Sequence, residues 1–278
     1  MRHAPLTTLV LLATLASCDH VDFPDNSNTI DGPGTDGPAR KVLLEDLTGH
    51  TCNNCPAASD VALGLHDVYG DALIIVSVHA TAFAEPYAPP YDTDFRTTAG
   101  EEYVNTFGVG SLPAGLVSRR VFNNSIIVGD GNWGSAAAEI INTPAEVEVL
   151  FDTIIFDSGT NTVNMTVQVV PVNALTGDHN LTIYLLEDSV VDAQVDNRVS
   201  PPDVLDYMHR HVLRGNVNGT WGETVVTGSA AAGDTVTVTH SYVLPANVLV
   251  PAKCSLVAYV YRSDNYEVLQ AEERKIQP

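Results

Sequence analysis

Basic residues are scarce in this 278-residue chain: 13 Lys and Arg stand against 34 Asp and Glu, a formal net charge of −21. That balance argues against nucleic acid or an anionic membrane surface as a partner, since like charge repels at the ranges that steer encounters. It favours solubility and names no substrate. After the first residues no apolar run is long enough to cross a bilayer as a helix. Internal repeats are missing. Only four cysteines occur, and no second Cys-x-x-Cys or His-x-His lies near the pair Cys52 and Cys55 in sequence, which weighs against zinc. What is plentiful is apolar side chain, 45% of the residues, enough for ordinary cores over a length that suggests two domains.

The chain opens on a targeting pattern, with Arg2 as the positive n-region and an apolar run from Leu6 to Ala16. Leu15-Ala16-Ser17-Cys18 then resembles the lipobox of bacterial lipoproteins. That likeness implies cleavage after residue 17 and lipidation of Cys18; an ordinary secretory signal with an incidental cysteine is the alternative. Several acyl chains, at about 0.8 kcal/mol per buried CH₂, hold a protein firmly on a membrane. Residues 18–40, with Asp22, Asp25, Asp31, Asp36 and Gly-Pro pairs, read as a disordered acidic tether or an export signal to the cell surface.

The most informative stretch follows. Val42 to Leu47 is a short buried-strand pattern closed by Thr48-Gly49. Pro56 suits the first turn of a helix whose apolar face carries Val61, Leu65 and Val68. Cys52 and Cys55 therefore fall between a strand and a helix N-terminus, where the helix dipole and free N–H groups favour a thiolate. A redox dithiol is the leading reading. A permanent disulfide, half of a zinc site, or copper held with His50 are the others. Asp71 to Val78 reads as a central parallel strand, completing a βαβ unit. Residues 81–96 form a long Pro- and Tyr-rich loop suited to a rim over the cysteines. Thr97 or Thr98 can cap a helix to about Phe107. Pro113 after a Gly-rich turn suggests an edge position or a cis bond, and Asn132 to Asn142 reads as a closing helix.

From Pro144 the apolar period changes to two. Glu146 to Phe156, Thr162 to Val172, Asn180 to Glu187, Tyr207 to Arg214, Thr235 to Val243, Cys254 to Arg262 and Tyr266 to Ala271 read as strands of an antiparallel sandwich. It is Ig-like in strand number but lacks a Cys…Trp…Cys spacing. In one strand, His209 and His211 share a face and could share a metal, or else line a polar surface. Cys254 reads as a buried small hydrophobe.

Cys52-Asn53-Asn54-Cys55 after a strand, with Leu112-Pro113 opening a later one, resembles the thioredoxin fold. The likeness implies that Cys52 is the exposed attacking thiol and Cys55 the buried resolving one. Pro113 with the Leu112 backbone becomes a substrate-binding edge. Asp46, or Glu45 if the turn differs by one residue, becomes the buried proton-shuttling carboxylate, the alternative being a solvated strand end for both. Thr51 stands where thioredoxins usually carry Trp, and Asn-Asn and Pro56 also depart from the pattern. Taken with the lipobox, Glu45 through Pro56, Leu112 to Arg120, Tyr207 to Arg214 and Val268 to Ala271, the chain resembles the outer membrane protein 28-related lipoproteins of Bacteroidetes-type bacteria. The resemblance implies an α/β thioredoxin-like domain at 41–143, then an all-β antiparallel sandwich at 144–278, held at the outer membrane and facing periplasm or cell surface. No cofactor is expected. The expected partners are envelope or surface proteins with thiols or disulfides, or, if the bridge is structural, a ligand of the sandwich.

Overall fold

The computed structural model describes residues 38–277; the signal segment 1–17, Cys18 and most of the 18–40 linker lie outside the described residues. Val42–Thr48 (β1) is buried on both faces, its four apolar side chains and its two acids alike. Cys55–Tyr69 (α1) begins with Pro in its first turn and returns the chain to Leu73–His79 (β2), parallel to β1 with Asp46 opposite Ser77 and Thr48 opposite His79. Thr97 caps Thr98–Phe107 (α2) by accepting from the Gly100 N–H at 3.0 Å. A cis Leu112–Pro113 bond precedes Ala114–Val117 (β3), which runs antiparallel to β1 and pairs with Ile127–Val128 (β4). Trp133–Ala138 (α3) is shorter than the helix expected to Asn142: Glu139 to Asn142 turn off, although Ile140 and Ile141 stay buried.

Strands dominate thereafter: Val147–Asp157 (β5), Thr162–Pro171 (β6), Leu175–Thr176 (β7), His179–Glu187 (β8), Val190–Val195 (β9), Asp203–His209 (β10), Val212–Asn216 (β11), Glu223–Val226 (β12), Ser229–Ala230 (β13), Val236–Val243 (β14), Cys254–Arg262 (β15) and Val268–Lys275 (β16). The whole is mostly β with few helices. The main sheet has the order β16-β15-β8-β11-β2-β1-β3-β4, with β12 also on β8. It therefore runs across the sequence boundary at 143/144, through the parallel pairing of Val212 with Ser77.

Period two explains the layers. Leu181, Ile183 and Leu185 of β8 meet Val147, Val149, Val163, Met165, Val167 and Val169 of the three-stranded sheet β14-β6-β5. Tyr184 and Leu186, on the other face, join Leu43, Leu47, Val76 and Tyr103. Leu44 and Ile75 face α1 and α3 instead, packing with Ala58, Ala62 and Trp133.

Tyr207 to Arg214 is not one strand. β10 ends at His209, the chain reverses through His211 at a φ of +52°, and β11 starts at Val212. The Asp188 carboxylate accepts from the His211 N–H at 3.3 Å within that reversal. His209 and His211 therefore do not share a strand face, and the metal pair expected from their spacing loses its geometric basis. No glycine marks the turn, so the sequence carries little sign of it.

Candidate functional site

Cys52 and Cys55 form a disulfide at the start of α1. Cys52 is not the exposed sulfur expected: it is 3% exposed and Cys55 1%. The reason is a two-stranded ribbon, β9 with β10, that folds over the cysteine loop. Gln194 donates from Nε2 to the carbonyls of Gly49 (3.3 Å) and Cys52 (3.1 Å). The Val195 N–H donates to the His50 carbonyl at 2.8 Å, and Asn197 N–H to the Asn53 carbonyl at 3.2 Å. Arg198 reaches Asp60 on α1 at 2.6 Å.

Residues 81–96 close the other side. The Phe83 carbonyl accepts from both the Thr51 N–H and Oγ1, each at 3.0 Å, and the His50 Nε2 lies 3.0 Å from the Glu85 carbonyl. Tyr91 donates to Asp203 at 2.6 Å and Thr93 to Asp192 at 2.5 Å, fastening the ribbon to this loop. Gly49 is required here, because a Cβ would come within 2.6 Å of the Phe83 backbone. Pro113 precedes Ala114, which pairs with Leu47, so it lies at the end of the sheet from which the cysteine loop springs. Leu112 is half-buried.

The two candidate carboxylates prove to be wholly buried, not solvated at a strand end, and they point to opposite faces. Glu45 receives Arg119 in a fork, Nε to Oε2 at 2.8 Å and Nη2 to Oε1 at 2.7 Å, and Tyr184 donates to Oε1 at 2.8 Å. Tyr259 donates to Tyr184 at 2.7 Å. The rings of Tyr103, Phe107, Trp221, Tyr259 and Tyr261 surround the Arg119 Cζ at 4.6 to 5.9 Å. Burial opposes the Arg119 charge, but the Glu45 carboxylate outweighs it and keeps the guanidinium protonated well above its ordinary value. This network lies away from the disulfide.

Asp46 is the carboxylate on the disulfide's side. With Cys55, Ser59, Ser77, His79 and His209 it lines a cavity of about 30 Å³ between α1, β2 and β10. Ser59 donates to Oδ2 at 3.1 Å, while Oδ1 has no partner among the described residues. Burial pushes the Asp46 carboxyl up to about 7, against the lowering effect of the Ser59 bond and with a little help from Asp130. His79 rests against Phe95 at 4.8 Å and His209 at 5.4 Å between ring centroids. Burial, then the neighbouring His209, His50 and Arg214, holds His79 well below its usual range. Burial likewise takes His209 to about 4.

His50 is on the far side of Phe95, 5.5 Å between centroids, and burial lowers it too. His211 turns toward His66 at 6.3 Å. Among the described residues no group of three or more His, Cys, Asp or Glu is arranged to hold a metal ion. Cys254 is a fully buried free thiol on β15, pushed up to about 12 by burial. Sequence reading missed Ser59, His79 and Gln194. His79 alone left a signal, as a polar residue ending an otherwise apolar strand on the face shared with Ser77.

Residues 100–278 match a family model described as Outer membrane protein Omp28. Among solved structures, HBP35 of Porphyromonas gingivalis aligns over 85% of this chain and 75% of its own, with a TM-score of 0.64 and 16% identity, a likeness of fold. A domain of the outer membrane lipoprotein Omp28 from Porphyromonas gingivalis aligns over 48% of this chain and 90% of its own, at 24% identity and a TM-score of 0.33. No curated protein matches the chain.

Proposed function

The chain belongs to the Outer membrane protein Omp28 family, whose name gives it an outer-membrane location, and from that premise we propose that it exchanges disulfides with envelope proteins through Cys52 and Cys55. Residues 41–143 then act as a thioredoxin-like unit. The order β2-β1-β3-β4 and the helix joining parallel β1 and β2 support that arrangement. The sandwich over 144–278 supplies the cover and the remaining sheet, and a lipid on Cys18 holds the protein to the membrane.

One observation carries the reading: a buried carboxyl with an unpaired oxygen lies in the same cavity as Cys55. A structural bridge gains nothing from it. In exchange, a thiolate of a partner dithiol attacks the Cys52 Sγ and the Cys52–Cys55 bond breaks. The electron pair goes to Cys55 Sγ, which takes a proton from Asp46. The partner's second thiolate then attacks the partner sulfur of the mixed disulfide and expels Cys52. The partner leaves oxidised and both cysteines reduced; the reverse sequence reduces a partner disulfide. The ribbon must swing away first, because Cys52 is covered.

That burial favours a second reading, in which the bridge is structural and the fold is a scaffold for surface binding. Mixed-disulfide trapping separates the two. In the native envelope, Cys55→Ser should accumulate adducts on non-reducing gels that vanish when Cys52 is also replaced. A blank, with the wild-type bridge resistant to mild dithiols, selects the scaffold.

A further inference from the structure

Asp46 does not face the disulfide's inner side alone. Its Oδ1, both ring nitrogens of His79 and Nε2 of His209 are all buried without a hydrogen-bond partner among the described residues. They come from three elements, β1, β2 and β10, and all three residues line the one cavity behind Cys55. Unpaired buried polar atoms are rare because each forfeits its hydration, so four of them on residues that line one cavity call for a common partner. A water centre needs about 10–15 Å³ and two to four polar neighbours; a cavity of about 30 Å³ offers room for one or two.

We propose that His79 and His209 are positioning residues that hold a short water chain against Asp46, and that this chain resupplies the proton Asp46 gives to Cys55. The inference rests on the exchange reading for its purpose, though not for its geometry. Both imidazoles are suited to the task because they stay neutral. Each then offers one donor and one acceptor nitrogen, so a water can be oriented without a fixed charge nearby. The cavity is also lined by Leu63, Met208 and Arg210, which are not buried. Protons therefore enter between α1 and β10, through a cavity that Cys55 lines. When Asp46 protonates Cys55, it takes a proton from the adjacent water, which is replaced from solvent along the same cleft. No electrons move in this step; they come from the partner dithiol.

The groups that bear on Asp46 are Cys55 and Ser59 of α1, Ser77 and His79 of β2, Tyr207 and His209 of β10, and Asp130. His79 is faced by His209, by His50 across Phe95, and by Arg214 of β11.

The test uses two readouts on the folded, oxidised protein: the Asp46 titration by carboxyl carbon NMR, and the dithiothreitol reduction rate from about pH 5 to about pH 9. His79→Leu keeps the bulk and removes the polar atoms. It should raise the Asp46 pKa by about a unit or more and slow reduction about tenfold below that pKa. His79→Gln, which can still bind water, should stay within about threefold of wild type. His209→Leu should move both readouts in the direction of His79→Leu. An Asp46 titration unchanged in His79→Leu overturns the water chain, whether or not the bridge exchanges. A shifted titration with unchanged rates overturns proton delivery. A wild-type bridge that dithiothreitol cannot reduce overturns the exchange reading, and with it the proton delivery, while the titration still decides the chain of water.

Discussion

Glu45 and Asp46 are adjacent on one strand and equally inaccessible to solvent, yet the chain treats them in opposite ways. Glu45 meets a forked guanidinium, a tyrosine hydroxyl and, beyond them, a ring of aromatic faces. Asp46 gets one serine. Both carboxylates would pay heavily for being charged in a dry interior, and only the first has been given the means to stay so. Complete pairing is what a buried charge needs when its role is to bind two halves of a sheet. Incomplete pairing leaves a group free to gain and lose a proton, which is what the proposed exchange at Cys55 would need.

The contrast can be broken from either side. The largest effect is expected from Glu45→Gln or Arg119→Met, each leaving its partner buried and unmatched, at about 3–5 kcal/mol of unfolding free energy in urea titrations. The double variant Glu45→Leu with Arg119→Met should recover most of that loss, because both charges are then gone. If the double loss equals the sum of the single losses, the pair is not acting as a unit.

Asp46→Asn should do the reverse and stabilise. The folded protein holds the Asp46 proton up to about 7, against an ordinary 3.8, so between those values the folded state binds more protons than the unfolded. Stability therefore falls as pH rises from about 4 to about 7 and levels off above. At pH 8 the gain from Asn approaches about 4 kcal/mol, and below about pH 4 it disappears. Equal gains at both pH values would mean that the carboxyl is ordinary.

Gln194→Ala removes two donor contacts from ribbon to cysteine loop. It should speed reduction by a small dithiol several-fold and cost about 1–2 kcal/mol locally, read as faster amide exchange at Cys52 and Asn53. The smallest effect is expected from Ser59→Ala. Losing its bond, which favours the Asp46 anion, should raise that pKa by about half a unit to one unit and cost about 1 kcal/mol at pH 8 and nothing at pH 4.

Much of this contrast was half-written in the sequence. Strict alternation along Leu43-Leu44-Glu45-Asp46-Leu47 puts the two acids on different faces, and Pro56 fixes where α1 begins. Which face would hold the cysteines depends on where α1 packs, and that is decided by Ala58, Ala62 and Trp133 meeting Leu44 and Ile75. Arg119 is 74 positions from Glu45, beyond any local pattern. The ribbon was illegible for a different reason. Val190–Val195 is short and broken by Asp192 and Gln194, and the segment that follows, with Arg198 and a Pro pair, looks like ordinary exposed loop. Only its backbone partners on the cysteine loop reveal what it covers. The exposed Cys52 implied by the thioredoxin likeness failed because the cover comes from more than 140 residues away.

Glu187 and Val212 are directly opposite each other in the main sheet. Between them the chain leaves the sheet after Asp188 and rejoins it at His211, at the same place. Such an excursion is a detachable leaf. Its two stems are held by neighbouring strands, and Glu187 is itself pinned by Arg214 and by the backbone of Leu249 and Val250. At the stems, the Ser77 N–H donates to the His211 carbonyl at 2.9 Å and the Asp188 N–H to the Lys253 carbonyl at 3.1 Å, so the leaf between them can be shortened while the pairings of β8 with β11 and β15 remain. Uncovering the disulfide thus asks the leaf's contacts with the cysteine loop to break, and none of the pairings of β8 with β11 and β15.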